Sequence, residues 1–242
     1  MYKRQAPGLF YGYVTQGIVQ KEDITENGIK YIKQDGSVGY YQTVNKTTPV
    51  AGDVKYVDRN GDGVVDDNDR DIIGNPNPDF TYGFQTKVSW KSLSLSASFN
   101  GVQGRDILNV GNRYNNTPGT KSNNVTRKAF QNMWTDENPS NLYPKSTFVV
   151  QNMVMDRYVE DGSYLRCSDI TLSYVLPAKW TNKIGIKNTS VYASVKNAFV
   201  ITDYSGYDPE VNSFAFDGLR PGVDMNSYPT PRSFVFGLNL TF

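Results

Sequence analysis

Histidine is absent from the 242 residues, and there is one cysteine, Cys167. The first absence excludes Ser-His-Asp and Cys-His catalysis and histidine metal sites. A single cysteine excludes an internal disulfide and a cysteine-cluster zinc site. Charge of one sign is missing too: 25 Lys and Arg stand against 24 Asp and Glu, a net +1. No basic field is available to hold nucleic acid. No run approaches 18 uninterrupted apolar residues, which rules out a transmembrane helix. The opening Met1-Tyr2-Lys3-Arg4-Gln5-Ala6-Pro7 lacks the apolar core of a signal peptide. Taken alone, these absences describe a soluble cytoplasmic protein. They do not exclude a membrane β-barrel, whose strands need no long apolar run.

What is present is β-like. Hydrophobic residues make up 38% and aromatics 13%, with 17 Tyr and 12 Phe. A chain poor in aliphatics and rich in aromatics suits sheets with one apolar face. Alternation then marks the strands. Phe80, Tyr82, Phe84, Val88 and Trp90 share one parity, against Thr81, Gly83, Gln85, Lys87 and Ser89. After the short turn Lys91-Ser92 the parity resets, and Leu93, Leu95, Ala97 and Phe99 alternate with serines and Asn100. The pattern returns in Ile170, Leu172, Tyr174 and Leu176, in Val191, Ala193, Val195, Phe199 and Ile201 (where Asn197 interrupts the row), and in Phe234, Phe236, Leu238, Leu240 and Phe242. Five antiparallel strands are expected, at about 80–91, 92–101, 163–176, 189–201 and 232–242.

Strands of about 10–12 residues at about 3.3 Å each, tilted by about 45°, cover roughly 25–28 Å, the apolar band of an outer membrane. Strands in soluble proteins are nearer 5–6 residues. The connections run short, long, short, long, as periplasmic turns and extracellular loops do in such barrels. The expected loop regions are 1–79, 102–162 and 202–232, with a weak helical turn at Val125 to Trp134.

The densest polar constellation is Asp58-Arg59-Asn60-Gly61-Asp62-Gly63-Val64-Val65-Asp66-Asp67-Asn68-Asp69. Counting Asp58 as position 1, side-chain oxygens fall at 1, 3, 5, 9 and 12, on Asp58, Asn60, Asp62, Asp66 and Asp69. Gly63 takes position 6, and Val64 offers its carbonyl at position 7. This is EF-hand calcium spacing, with Asp in place of the final Glu and no flanking helices. The bland alternative is an Asn/Asp/Gly-rich loop satisfied by its own backbone. Calcium is the ligand these oxygens suit.

Other chemistry is thin. Asp203, Asp208, Glu210, Asp217 and Asp224 precede the last strand, and paired carboxylates hydrolyse glycosides. No spacing fixes two of them, so a solvated loop is expected. Cys167 has no histidine to activate it and reads as a bland small residue. Tyr204, Tyr207, Phe214, Phe216 and Tyr228 either stack on sugar rings or a partner, or pack on one another. No catalytic residue is indicated.

Longer motifs carry a family resemblance. Gly52-Asp53-Val54-Lys55-Tyr56-Val57-Asp58-Arg59-Asn60-Gly61-Asp62-Gly63, followed by Ile73-Gly74-Asn75-Pro76-Asn77-Pro78-Asp79-Phe80-Thr81-Tyr82-Gly83-Phe84, resembles the SusC/RagA-type TonB-dependent outer-membrane transporters of Bacteroidota. Gly162-Ser163-Tyr164-Leu165-Arg166, Tyr204-Ser205-Gly206-Tyr207-Asp208-Pro209-Glu210 and Tyr228-Pro229-Thr230-Pro231-Arg232 are similar to the same family, as are Phe10-Tyr11-Gly12-Tyr13-Val14 and Gly17-Ile18. Cys167 departs from the aliphatic residue usual there.

The resemblance covers the C-terminal end of much longer proteins, without plug, TonB-contacting segment or most of the barrel. It implies an outer-membrane location and TonB-powered uptake of oligosaccharides or peptides under a SusD-like lipoprotein lid. It implies no catalytic residue.

The expected fold is therefore all-β: an unclosed antiparallel segment of a transmembrane β-barrel, with long extracellular loops. Residues 1–79 form a loop region and 80–242 the C-terminal strands and their loops. Phe80, Tyr82, Phe84, Trp90, Leu93, Leu95, Phe99, Leu172, Tyr174, Phe236 and Leu240 are expected to face lipid, and the polar parity the lumen. Phe242 resembles the terminal aromatic read by the outer-membrane insertion machinery. Five strands leave two unpaired edges and form no closed pore alone. The runner-up is a secreted, calcium-stabilised β-sandwich that binds glycans. A sandwich buries the apolar face that a barrel turns outward.

Overall fold

The computed structural model describes residues 6–117, 124–146, 154–181, 186 and 188–241. Phe242 lies outside the described residues. The chain divides into two compact units. One comprises Pro78–Arg105, Asp161–Val211 and Tyr228–Phe242; the other comprises Met1–Asn77, Asp106–Glu160 and Asn212–Ser227.

The first unit is a five-stranded antiparallel sheet. Its strands, in spatial and chain order alike, are Phe80–Trp90, Leu93–Gln103, Tyr164–Val175, Asn188–Thr202 and Ser233–Thr241. Each pairs only with its chain neighbours in this sheet, and the outer two do not meet, so the sheet is open. Register fixes the faces, because directly paired residues share one. Trp90, Leu93, Tyr174, Val191 and Leu238 form one cross-strand row. Val88, Leu95, Leu172, Ala193 and Phe236 form the next, and Thr86, Ala97, Ile170, Val195 and Phe234 the third. A fourth row holds Phe84, Phe99, Cys167 and Phe199, with the Phe84 and Phe99 rings stacked at 4.5 Å.

One irregularity keeps these rows aligned. Between Cys167 and Asp169 the third strand carries an extra residue, Ser168, relative to its neighbour. On the other side the register also shifts, with Asn197 at φ +52°. This bulge flips the parity of the third strand, so Leu165 and Cys167 join the same face as Ile170 and Leu172. It explains why Asn197 interrupts the apolar row of its strand. Cys167 is fully buried at the bulge.

The short connections, Lys91-Ser92 and 176–187, leave one end of the sheet, and the long ones leave the other. The register requires this, since Phe80 pairs with Gln103, and Tyr164 with both Val102 and Thr202.

The second unit differs from the irregular loops expected. It packs a core of its own around Tyr13, Ile18, Tyr31, Tyr41, Tyr56 and Val65. Tyr13 and Tyr56 meet edge to face at 5.9 Å, and the Tyr41 hydroxyl accepts from the Tyr56 amide at 3.1 Å. These buried phenols find partners, as buried tyrosines must. The stretch 106–160 is not structureless. It contains the strand Asp106–Asn109 and the helices Val110–Asn116 and Arg127–Asn132, the latter capped by the Thr126 hydroxyl, which accepts from the Ala129 amide.

Candidate functional site

Two features of the sheet unit and one of the other unit carry functional potential. The first is the apolar face. In the central strands the alternating residues differ in cover: Leu93, Leu95, Leu172 and Tyr174 are exposed, whereas Ser94, Ser96, Thr171 and Ser173 are half-buried. Trp90 is 69% and Phe236 79% exposed. The opposite face is polar and internally bonded. Asp169, Thr171, Ser194 and Lys196 form one cluster, with Ser194 donating to Asp169 at 2.8 Å and Lys196 paired to the same carboxylate. An exposed apolar face opposite a hydrogen-bonded polar one is the arrangement of a membrane barrel wall, apolar out and polar in. A sandwich would bury this apolar face, and here it is exposed.

The second feature was not legible in the sequence. Arg166, 5% exposed, reaches Asp208, 3% exposed, across 42 residues of chain. Its Nε also lies 3.0 Å from Glu210 Oε2, an ion pair by distance that lacks hydrogen-bond geometry. Asp208 accepts amide protons from Glu210 at 2.9 Å and Thr230 at 3.1 Å. The Tyr164 hydroxyl and the Asn100 amide donate to Glu210, and Arg105 donates to the Pro209 carbonyl. The cluster ties the segment 208–210 to two neighbouring strands. Burial alone would raise the Asp208 pKa. The amides of Glu210 and Thr230 and the Arg166 charge outweigh it and hold the carboxyl below its ordinary range. Asp208 is thus not a solvated loop acid; it is a buried anchor. Asp224 is buried as well, accepting from the Ser227 amide, while Asp203 is exposed as expected.

The third feature is the loop 58–69. Asp58 accepts from the Gly61 and Gly63 amides at 2.7 and 2.8 Å, and Gly61 and Gly63 have φ of +76° and +85°. Asp69 accepts from the amides of Arg59 and Asp66 at 2.8 Å and of Asn60 at 3.2 Å. Asn60 and Asp62 bond each other, Asp62 caps the Val64 amide, and Asp66 caps that of Asn68. Among the described residues no three His, Cys, Asp or Glu side chains stand gathered as a metal site. Asp58 and Asp69 are nevertheless buried, at 3% and 0% exposure. Burial raises the Asp58 pKa, partly offset by its two amide donors, and the Asp69 and Asp62 charges add to the rise. A cavity of about 320 Å³ lined by Lys33, Asp35, Arg59 and Asn60 opens onto this loop.

No protein-family model matches the chain. Curated relatives do. TonB-dependent receptor P26 of Formosa agariphila is 35% identical over 201 residues, 80% of this chain and 20% of that protein. TonB-dependent receptor SusC of Bacteroides thetaiotaomicron is 34% identical over 194 residues, 77% of this chain and 17% of that protein. Among solved structures, the RagAB peptide importer in its open-open state aligns with 98% of this chain and 22% of its own, at TM-score 0.66 and 26% identity.

The chain belongs to the SusC/RagA-type TonB-dependent receptors. It spans about a fifth of the length of the curated relatives it matches. The open sheet is thus a segment of a SusC/RagA-type barrel. Of the aromatics singled out above, Tyr204 is buried and Phe214 packs edge to face on Phe216 at 6.2 Å, while Tyr207, Phe216 and Tyr228 remain exposed.

Proposed function

We propose that this chain is the C-terminal barrel segment of an outer-membrane receptor that takes up oligosaccharides or peptides, powered by TonB through a part of the protein outside this chain. The carrying observation is the register-aligned apolar face, exposed across five strands, in a chain similar to SusC over 77% of its length. Its partners in this reading are outer-membrane lipid and a SusD-like lipoprotein, and it has no enzymatic role. The RagAB neighbour is named a peptide importer, which supports the peptide branch. The test is uptake of labelled oligosaccharides and peptides by cells carrying the whole receptor, with and without TonB. Uptake of one class that disappears without TonB is expected. Equal accumulation in both strains would contradict the reading.

In the same reading, the loop 58–69 takes one calcium ion through Asp58, Asn60, Asp62, the Val64 carbonyl, Asp66 and Asp69. Support comes from the all-oxygen donor set and from two buried carboxylates, Asp58 and Asp69, with no cationic side chain in ion-pair reach among the described residues. Calcium at 100 times its Kd should stabilise the folded loop unit by about 2.7 kcal/mol, and Asp58→Asn should remove most of that gain. Titration calorimetry and thermal melting with and without chelator read it directly. No heat and no shift at millimolar calcium would refute the site.

A further inference from the structure

We propose that the short-turn rim of the sheet, built from Trp90, Lys91, Lys179 and Trp180, is a docking surface for the phosphate headgroups of anionic phospholipid. The inference rests on the membrane reading above and adds a lipid preference to it.

Register places the Lys91-Ser92 turn and the helix Ala178–Thr181 at the same end of the sheet. The turn is fastened there, because the Ser92 carbonyl accepts from the Val175 amide at 2.8 Å. Trp90 and Trp180 are 69% and 66% exposed, and Tyr174 shares the outward row of Trp90. Exposed indoles at the end of an apolar band lie at headgroup level, where a ring with one polar edge is most stable. Lys91 holds its ammonium over the Trp90 ring, 4.9 Å from the centroid, with its backbone at φ +53°. The indole thus orients the charge at the depth where phosphates lie.

Charge distribution selects an anionic lipid over a neutral one. Between Thr81 and Gln103, and between Ile170 and Thr202, the sequence contains lysines but no Asp or Glu. The acids of this unit are Asp169, mid-sheet and paired to Lys196, and Asp79, Asp161, Asp203, Asp208 and Glu210, all near the ends of strands that lead into the long connections. The short-turn rim therefore presents uncompensated positive charge. Each lysine near an anionic surface contributes about 1 kcal/mol, about a fivefold preference.

The test uses the whole receptor, purified in detergent, first floated with vesicles and then titrated with equal phosphatidylglycerol and phosphatidylcholine before native mass spectrometry. Wild type is expected to float and to retain phosphatidylglycerol preferentially. Lys91→Gln should reduce the preference about fivefold, Lys91→Gln with Lys179→Gln should reduce it further, and the paired Arg substitutions should preserve it. Equal retention of both lipids by wild type, or a preference unchanged in the double Gln variant, would overturn the lipid assignment while leaving the membrane reading intact. A receptor that fails to float would overturn both.

Discussion

Replacing Arg166 with alanine should cost about 3–5 kcal/mol of local stability, the effect of removing one partner from a buried ion pair. The magnitude follows from what stays behind. Asp208 is almost fully covered and would keep its hydrogen bonds from Glu210 and Thr230 but lose the guanidinium paired with its charge. Hydrogen exchange on the whole receptor, read across 203–211, should accelerate about a hundredfold to a few thousandfold. Glu210→Gln should do much less, because the Glu210 side chain is 33% exposed. Replacing Arg166 and Asp208 together with apolar residues of similar volume should recover most of the loss.

The anchor also has a pH signature. The folded Asp208 pKa is lowered, so its contribution is complete above the unfolded carboxyl value, about 3.9. It fades as pH falls through the folded value. Arg166→Ala removes a lowering influence, so in the variant the loss should begin at higher pH. Exchange rates in 203–211 that do not respond to the alanine substitution would contradict the anchor.

The second large effect concerns depth. Val195 sits in the third outward row, between the aromatic rims marked by Trp90 and Tyr174 at one end and Phe80 and Tyr82 at the other. Val195→Arg should cost about 2–4 kcal/mol, the penalty at the bilayer midplane. Val191 lies on the same strand and the same face but in the rim row. There an arginine reaches the interface, and Val191→Arg should cost only about 0–1 kcal/mol. Ser96→Arg, on the polar face, serves as the control. The fraction of receptor that is correctly inserted, read by its heat-modifiable mobility, should fall in the order Ser96→Arg, Val191→Arg, Val195→Arg. Equal losses for the two valines would mean that burial in lipid does not govern this face.

Much of the sheet was legible because an exposed apolar face on one side and polar groups on the other impose a two-residue period. Each strand lies within about two residues of its expected limits, and the Lys91-Ser92 parity reset matches the observed pairing of Trp90 with Leu93. The bulge at Ser168 left a trace, since Asn197 broke one row. Alternation counted along a single strand cannot locate an inserted residue until its partner is known. The second unit was hidden for a different reason. Its strands are two to five residues long, too short for periodicity, and its tyrosine core joins segments from all over its sequence. The Arg166–Asp208 pair was hidden likewise, because an acid in an Asn- and Tyr-rich loop looks solvated until the strand that carries its partner is placed beside it. The spacing of the 58–69 loop, by contrast, is local, and its turn geometry followed from the residues alone.

The measurement that bears most directly on the central claim is a cysteine scan of residues 93–99 in the whole receptor, on a cysteine-free background, with a spin label at each position. Collision with oxygen dissolved in lipid is compared with collision with a water-soluble nickel reagent. Labels at 93, 95, 97 and 99 should respond to oxygen, and those at 94, 96 and 98 to nickel, in strict alternation. Alternation of the opposite phase, or a profile without alternation, would contradict a lipid-facing barrel wall.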